Sequence, residues 1–469
     1  MSPEQVDGNA ASSFLKLHFL LLHGSFGSVK PFRGPFAVWL GVSPAVIGLV
    51  SFVSCVVTLP LKAAISLLAD THHNICLLVA LAAFTEGSSN LYMSFMGPSS
   101  GRQTDVVELA TNYSDTVGSR LVCFPLQMDM DGGAVIEMAC RLRCGCTYDE
   151  AAGHPNIDST LNGTFLNDHR GVCVPSRDFD ELRKDYFCEA SDDYACEMTC
   201  GPAGQLLVGG AFWRYAATYA VSNVAMSTLA PLSDAVTFLV LDKTGAELPV
   251  LYSRYRLWGA VGSGAVAALS GLANDWASEP TDSEDFTSGF YINASLTTLH
   301  MITMLYVIMP HRPRRPYCAE AVQAVATPRT ALLLVTLFVV GFLSSAFSLL
   351  GFVHLEGLGA SKVLMGAVVA AQCLLGQLMS LSAAEYFFKR LTQRAILNLT
   401  LGASAIRCLV FALAESTWHV IPAELTYGFW YGLFCAYYTS YGCNGAHLVA
   451  QATVQCILGV AFEEFGTLL

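Results

Sequence analysis

Apolar residues recur along this chain in runs long enough to cross about 30 Å of hydrocarbon as helices, each needing roughly 20 residues. The runs fall at about 14–30, 45–68, 74–97, 205–238, 257–276, 290–309, 331–354, 360–384, 395–415, 420–441 and 447–469. They predict an all-α polytopic membrane protein of about eleven spans. The fourth run is too long for one straight crossing, and Pro231 near its far end is expected to bend it or carry it past the membrane.

Composition fits that pattern. Apolar residues make up 53% of the 469-residue chain and charged residues only 13%, too few to cover a water-facing surface. The formal charge of −12 excludes the basic footprint that nucleic-acid binding needs. Glu4 and Asp7 precede the first apolar run with no basic stretch or small-residue cleavage site, so the first helix is expected to stay in the protein.

The short loops carry their basic residues on one side: Lys243, Arg254 and Arg256, then Arg312, Arg314, Arg315 and Arg329, then Lys389, Arg390 and Arg394. By the positive-inside rule that side is cytoplasmic, and the N-terminus with it. The basic, Pro-containing stretch at 310–330 reads as a linker between two halves, with 1–97 and 204–309 forming one half and 331–469 the other.

The long loop, 98–203, falls on the opposite side and carries most of the negative charge. Its eight cysteines, Cys123, Cys140, Cys144, Cys146, Cys173, Cys188, Cys196 and Cys200, suit a disulfide-stapled extracellular module whose core is too small to hold it alone; the four pairings stay open. A metal site is the rival, because Cys140, Cys144 and Cys146 are close, but no matching His and Cys pattern follows. Asn112 and Asn162 head glycosylation triplets in the same loop. Cysteines and glycosylation together point to the plasma membrane.

Ionisable groups within the hydrocarbon are costly and therefore candidates for function. Glu86, Arg214 and His300 lie near mid-depth of the third, fourth and sixth spans. Glu86 and Arg214 could form an ion pair or a solute or proton site, while His300 reads more simply as a packing histidine. Arg407 and Glu424 fall at similar depth in the outer half of the second bundle, where a salt bridge could latch a gate or release on protonation, or simply hold the bundle. Gly259, Gly262 and Gly264 make a small-residue stripe that lets another helix approach. No hydrolase triad, Walker lysine or zinc motif stands out, so no enzyme, metal or cofactor is expected.

Several segments resemble the lactose-permease-like group of the major facilitator superfamily, and within it the animal branch called domain-containing protein six. Ser66-Leu67-Leu68-Ala69-Asp70-Thr71-His72-His73 is similar to the motif after the second helix, without its glycine and basic residues; Asp70 would be the conformational residue. Asp234-Ala235-Val236-Thr237 and Arg254-Tyr255-Arg256-Leu257-Trp258-Gly259-Ala260-Val261-Gly262 resemble the end of helix four and the start of helix five. In sugar-binding members an arginine at the Arg256 position helps hold substrate, but Ser263 stands where tryptophan is frequent. His354-Leu355-Glu356-Gly357-Leu358-Gly359-Ala360-Ser361-Lys362 and Pro422-Ala423-Glu424-Leu425 are similar to the connection after helix seven and the start of helix ten. Gly376, after Cys373, replaces a glutamate found in helix eight of the group.

The resemblance implies two six-helix bundles, here with the last helix apparently missing, that rock about a central site. The expected function is a secondary transporter of a small organic solute, either coupled to protons or facilitative, acting in a lipid bilayer. Its candidates for binding or gating are Glu86, Arg214, Asp234, Arg256, His300, Arg407 and Glu424. The alternative is a cell-surface receptor on a transporter-derived scaffold, with a protein partner on the cysteine-rich loop.

Overall fold

The computed structural model describes residues 3–71, 75–97, 210–241, 248–278, 285–306, 328–414, 416–445 and 451–464, and the backbone of seven strands between 106 and 202. The chain divides into two compact units, one formed by Met1–Gly97 with Arg214–Leu469 and the other by Pro98–Trp213.

The first unit is helical. Its first half holds α1 (Pro3–Val29), a short α2 (Arg33–Trp39), α3 (Pro44–Thr71), α4 (Ile75–Met93), α5 (Gly210–Leu241), α6 (Leu248–Ser278) and α7 (Thr287–Leu305). In its second half α8 (Pro328–Ala346) runs through a π-helical turn, Phe347–Gly351, into α9 (Phe352–Gly357). The chain then builds α10 (Lys362–Ala370), a second π-helical turn at Ala371–Gln377, α11 (Leu378–Ser382), α12 (Ala384–Arg390), α13 (Gln393–Leu413) and α14 (Ile421–Gly445). Last among the described residues is α15 (Gln451–Gly459), which ends in a third π-helical turn, Val460–Glu464.

Helix α3 shows what solvent this unit is built for. Ser51, Ser54, Thr58, Lys62 and Ser66 are buried, whereas Leu49, Phe52, Val53, Val56, Val57 and Leu61 are exposed. The polar residues recur at the three-to-four spacing of one helix face. In water this arrangement would be inside out; in lipid the apolar face meets hydrocarbon and the polar face finds its partners within the protein. Among the described residues five helices are both long and apolar enough to cross a membrane: Pro44–Ala69, Ile75–Met93, Phe212–Leu241, Lys362–Ser382 and Gln393–Leu413. Helices α1, α6, α7 and α14 are more mixed because they carry His18, Arg256, Asn293 and Glu424 toward the interior.

Helix α6 begins at Leu248, well before the expected start near 257. That places Tyr252 and Arg256 inside the helix instead of in a basic loop. Its small residues serve two neighbours. A Cβ on Gly259 would stand 2.5 Å from the His23 ring of α1, while one on Gly264 would stand 2.6 Å from Leu374 and one on Gly271 would stand 2.5 Å from the Lys362 carbonyl. The first of these contacts is within the first half of the unit, and the other two close the seam between halves. Pro231 lies within α5 as expected, and Pro60 lies within α3.

At one end of the seam Asp275 of α6 caps α10 from across the halves. Its carboxylate accepts the backbone N–H of Lys362 at 3.1 Å and of Val363 at 3.0 Å, two of the donors that a helix start leaves unpaired. The Lys362 ammonium donates to Ser278 Oγ at 2.8 Å and to the Asp285 carbonyl at 3.2 Å, and lies over the Phe286 ring. At the other end Arg254 reaches Glu385 at 3.7 Å with both side chains exposed, a contact of little energetic weight.

The second unit, expected as a disulfide-stapled module, is a seven-stranded antiparallel sheet. The strands are β1 (Val106–Glu108), β2 (Ser114–Asp115), β3 (Arg120–Phe124), β4 (Val135–Cys146), β5 (Ile157–Asp168), β6 (Gly171–Pro175) and β7 (Tyr194–Pro202), in the order β1-β7-β4-β5-β6-β3-β2. The backbone register sets Cys123 opposite Cys173, Cys140 opposite Cys200, and Cys144 opposite Cys196. Asn162 is on β5. Asn112, Cys188 and most of the 310–330 linker lie outside the described residues, as do the side chains of the other loop cysteines, of Asn162 and of Asp70.

The seam generates a test. Gly271→Leu is expected to destabilise the protein by about 1–3 kcal/mol through overpacking, read as a lower Tm of purified protein. Gly402→Ala, where an added Cβ meets nothing within 4 Å, is expected to cause no loss.

Candidate functional site

Five groups of buried polar side chains stand out among the described residues of the helical unit. The first centres on Asn90 of α4. Arg33 of α2 donates from Nη2 to Asn90 Oδ1 at 3.1 Å and to Ser222 Oγ of α5 at 2.5 Å. Asn90 Nδ2 donates to Glu86 Oε1 at 2.6 Å and to Asn293 Oδ1 of α7 at 3.0 Å, and Asn293 Nδ2 donates to Glu86 Oε1 at 3.1 Å. Glu86 and Asn90 sit one helical turn apart, on one face. Glu86 Oε2 and Arg33 Nε have no hydrogen-bond partner.

This group corrects the expected pairing of Glu86 with Arg214. Arg214 is exposed near the start of α5, and the cation that shares Asn90 with Glu86 is Arg33. A sequence offers no way to see that α2 folds inward as a short helix after α1.

The second group is a pair of histidines. His300 Nε2 lies 2.9 Å from His18 Nδ1, and His18 Nε2 lies 2.5 Å from Ser233 Oγ. His300 Nδ1 is buried without a partner. His300 therefore lies in a hydrogen-bonded pair, joining α7 to α1 and α5.

The third group contains two candidates that the sequence placed in separate segments. Tyr252 Oη donates to Asp234 Oδ1 at 2.6 Å, and Arg256 Nη1 donates to Tyr252 Oη at 3.2 Å and lies 3.4 Å from His23 Nε2. Tyr252 is one helical turn before Arg256 and is fully buried, so it fixes both the carboxylate and the guanidinium. Arg256 also lies within electrostatic reach of Cys435 and Tyr438 on α14. This group thus faces the second half of the unit and offers a cation, an anion, phenols and an imidazole at the seam.

The fourth group is Arg407 of α13 with Glu424 of α14. Arg407 Nε donates to Glu424 Oε1 at 2.6 Å, with side chains 7% and 1% exposed. The guanidinium is flanked by the rings of Phe347 at 4.4 Å, Tyr427 at 4.5 Å and Phe411 at 5.7 Å, a stacking that suits a weakly hydrated planar cation. Phe347 comes from the π-helical turn after α8, a kind of distortion frequent at functional positions. Tyr427 is held in turn by a hydrogen bond to Ser344. Glu424 Oε2 has no partner.

The fifth group escaped the sequence reading. Lys62 of α3 has a fully buried side chain and lies 2.8 Å from Glu463 Oε2 and 3.4 Å from Glu464 Oε1 in the terminal π-helical turn. Lys62 stands about six residues from the end of its expected span, where a lysine can reach the interface, so depth alone did not single it out. Among the described residues no cluster of three or more His, Cys, Asp or Glu side chains is placed to hold a metal ion.

A model of the MFS_1 like family matches residues 13–469. The chain belongs to this family. The mouse "Major facilitator superfamily domain-containing protein 6-like" is 26% identical over 140 residues, which is 29% of this chain and 24% of the mouse protein. The chain thus matches about a quarter of that relative's length.

Two solved structures share the fold of this MFS_1-like protein. The nucleoside transporter NupG superposes with a TM-score of 0.55 at 13% identity, covering 98% of this chain and 89% of NupG. A bacterial homologue of the iron transporter ferroportin, in an outward-facing state, gives 0.51 at 10% identity, covering 96% and 89%. At such identities the likeness establishes the fold, that of major facilitator transporters in a membrane.

The Arg407 and Glu424 pair has a measurable signature. Arg407→Met is expected to cost about 3–5 kcal/mol, because a buried carboxylate is left without its cation. The double variant Arg407→Met with Glu424→Leu is expected to recover most of that loss, and thermal unfolding of the variants reads the difference. A double variant as unstable as the single would mean that the two charges are not compensating each other.

Proposed function

We propose that this member of the MFS_1-like family is a secondary transporter of a small organic solute, working by alternating access with the Arg256 group as its binding centre. The observation that carries this reading is the chain from His23 through Arg256 and Tyr252 to Asp234, four side chains from α1, α6 and α5 hydrogen-bonded in series at the seam. A solute entering there would meet donors and acceptors already oriented, as a binding site requires. Two rocking halves need a central site and closable seams. The polar fastening of the seam supports this: Asp275 and Lys362 clasp it at one end, the exposed pair Arg254 and Glu385 touches across it at the other, and buried Lys62 meets Glu463 and Glu464 across it. The Arg407 and Glu424 pair would act as a latch within the second half, and the Glu86 group would set the packing of the first.

The related structures transport a nucleoside in one case and are named for iron transport in the other, so the solute is to be sought broadly. Uptake of labelled sugars, nucleosides and organic anions by cells displaying the protein is the direct test. Arg256→Gln is expected to lower uptake of any active solute at least tenfold with unchanged surface display, while Arg214→Gln leaves it within twofold. Activity that survives Arg256→Gln would move the binding centre elsewhere, and a silent panel would count against a carrier.

A second reading attaches to the compact unit at 98–213, which would act at the cell surface as a stapled module that binds a protein partner. What favours it is the sheet register. Three of the loop cysteine pairs stand directly opposite each other on antiparallel strands, where Cα separations of about 4.5–5.5 Å fall within disulfide reach. Peptide mapping of the unreduced protein is expected to return Cys123–Cys173, Cys140–Cys200 and Cys144–Cys196; any other connectivity would overturn this pairing.

A further inference from the structure

The Lys62 group has a property that the binding centre does not explain. Two carboxylates, on consecutive residues, converge on one buried ammonium. In a regular α-helix neighbouring side chains point about 100° apart and do not face a common partner. Here they lie in a π-helical turn, and Lys62 reaches both. Gly459 makes room for it: a Cβ there would stand 3.3 Å from the Lys62 ammonium and 3.7 Å from Pro231 of α5. The group therefore sits where α3, α5 and α15 meet, across the seam between the two halves.

The charges around it are unevenly shared. Glu463 is the nearer carboxylate, at 2.8 Å, and is 32% exposed. Lys30, just after α1, lies within its electrostatic reach as a second cation. Glu464 is farther from Lys62, at 3.4 Å, and 1% exposed. Among the described groups Lys62 is the one cation that acts on it; Glu463 repels it, Ser227 and Tyr219 of α5 are its polar neighbours. The remaining titratable groups near the cluster are Asp234 of α5, Tyr438 of α14 and Cys456 of α15. The part of α8 packed on this turn, residues 330–346, has no titratable side chain. Asp234 already engages Arg256 through Tyr252. Glu464 is thus a buried carboxylate that, among the described groups, shares its one counter-charge with a closer partner, a costly state in the absence of a further positive charge.

We propose that Glu464 is a proton-binding site in the seam, with Lys62 and Glu463 as the ion pair that positions it. A proton satisfies the site better than sodium would. It neutralises the carboxyl without needing a cage of oxygens, whereas a metal ion would have to lie beside the Lys62 ammonium. With the proton on, the cluster is one ammonium and one carboxylate, and the seam closes on a neutral group. With the proton off, one ammonium holds two carboxylates of the opposite half. If the protein is the carrier proposed above, this is the proton whose binding would be coupled to movement of the halves; the site itself stands without that reading.

Infrared difference spectroscopy of the purified full chain in lipid, between acid and alkaline pH, tests it with no solute present. The expected result is a protonated-carboxyl C=O band that titrates, that Glu464→Gln removes by one carboxyl equivalent, and that Glu464→Asp shifts in frequency. Glu463→Gln should retain it. Subtraction of the variant spectrum separates Glu464 from Glu86, Asp234 and Glu424. Retention of the full band in a folded Glu464→Gln protein overturns the proposal, as does loss of the band when sodium replaces choline at fixed pH. A silent uptake panel alongside a titrating Glu464 would refute the carrier and leave the proton site intact.

Discussion

A polar group inside a membrane must find its partner within the protein, and the helical unit is arranged around that requirement. Lipid tails are as apolar as leucine, so burying hydrocarbon gives little reason for one helix to prefer another. Specific association falls to close backbone approach and to polar contacts. Both are visible on α6, whose glycines admit α1 on one face and α10 on another, and whose Tyr252 and Arg256 bind Asp234 and His23. The inside-out pattern of α3 is the same requirement seen from a single helix.

That constraint also organises the chemistry. Four of the five polar groups link helices that are distant in sequence, and four leave something unfinished. Glu86 Oε2, Glu424 Oε2 and His300 Nδ1 are buried without partners, and Glu464 shares its cation. A static scaffold would gain by replacing such groups with well-packed apolar residues. Their retention at helix junctions fits a protein whose halves change contacts, since an alternate arrangement can satisfy what this one leaves open. The π-helical turns add to this, for they bring Phe347 over Arg407 and set Glu463 and Glu464 on Lys62.

The two ends of the seam differ in kind. At one, a carboxylate caps a helix of the opposite half, and a half-buried clasp of Lys362, Ser278 and the Asp285 carbonyl reinforces it. Breaking it would expose two helix-terminal N–H groups. At the other, an exposed pair at 3.7 Å can part at little cost.

Much of the fold was legible in the chain itself, because hydrocarbon thickness imposes a length and apolarity that the runs at Pro44–Ala69, Ile75–Met93, Phe212–Leu241, Lys362–Ser382 and Gln393–Leu413 meet among the described residues. Pro231 within α5, the stripe of glycines and the candidacy of Glu86, Arg407 and Glu424 followed from residue type and depth alone. Partners did not. Depth gives one coordinate, and whether Glu86 meets Arg214 or Arg33 depends on how helices rotate and on the inward turn of α2, which no periodicity reveals. Arg256 was misplaced into a loop because Leu248–Leu257 is mixed in character; burial of Tyr252 against Phe238 and Phe19 keeps it helical. The sheet at 106–202 was hidden for a related reason, since three of its six neighbouring pairs, β1 with β7, β7 with β4 and β6 with β3, join strands far apart in sequence. The sequence by itself determined that this protein lives in a membrane and which residues are too costly to be there idly. Only the tertiary structure decided which of them meet, because in lipid the choice of neighbour rests on packing and hydrogen bonds between segments that the chain holds far apart.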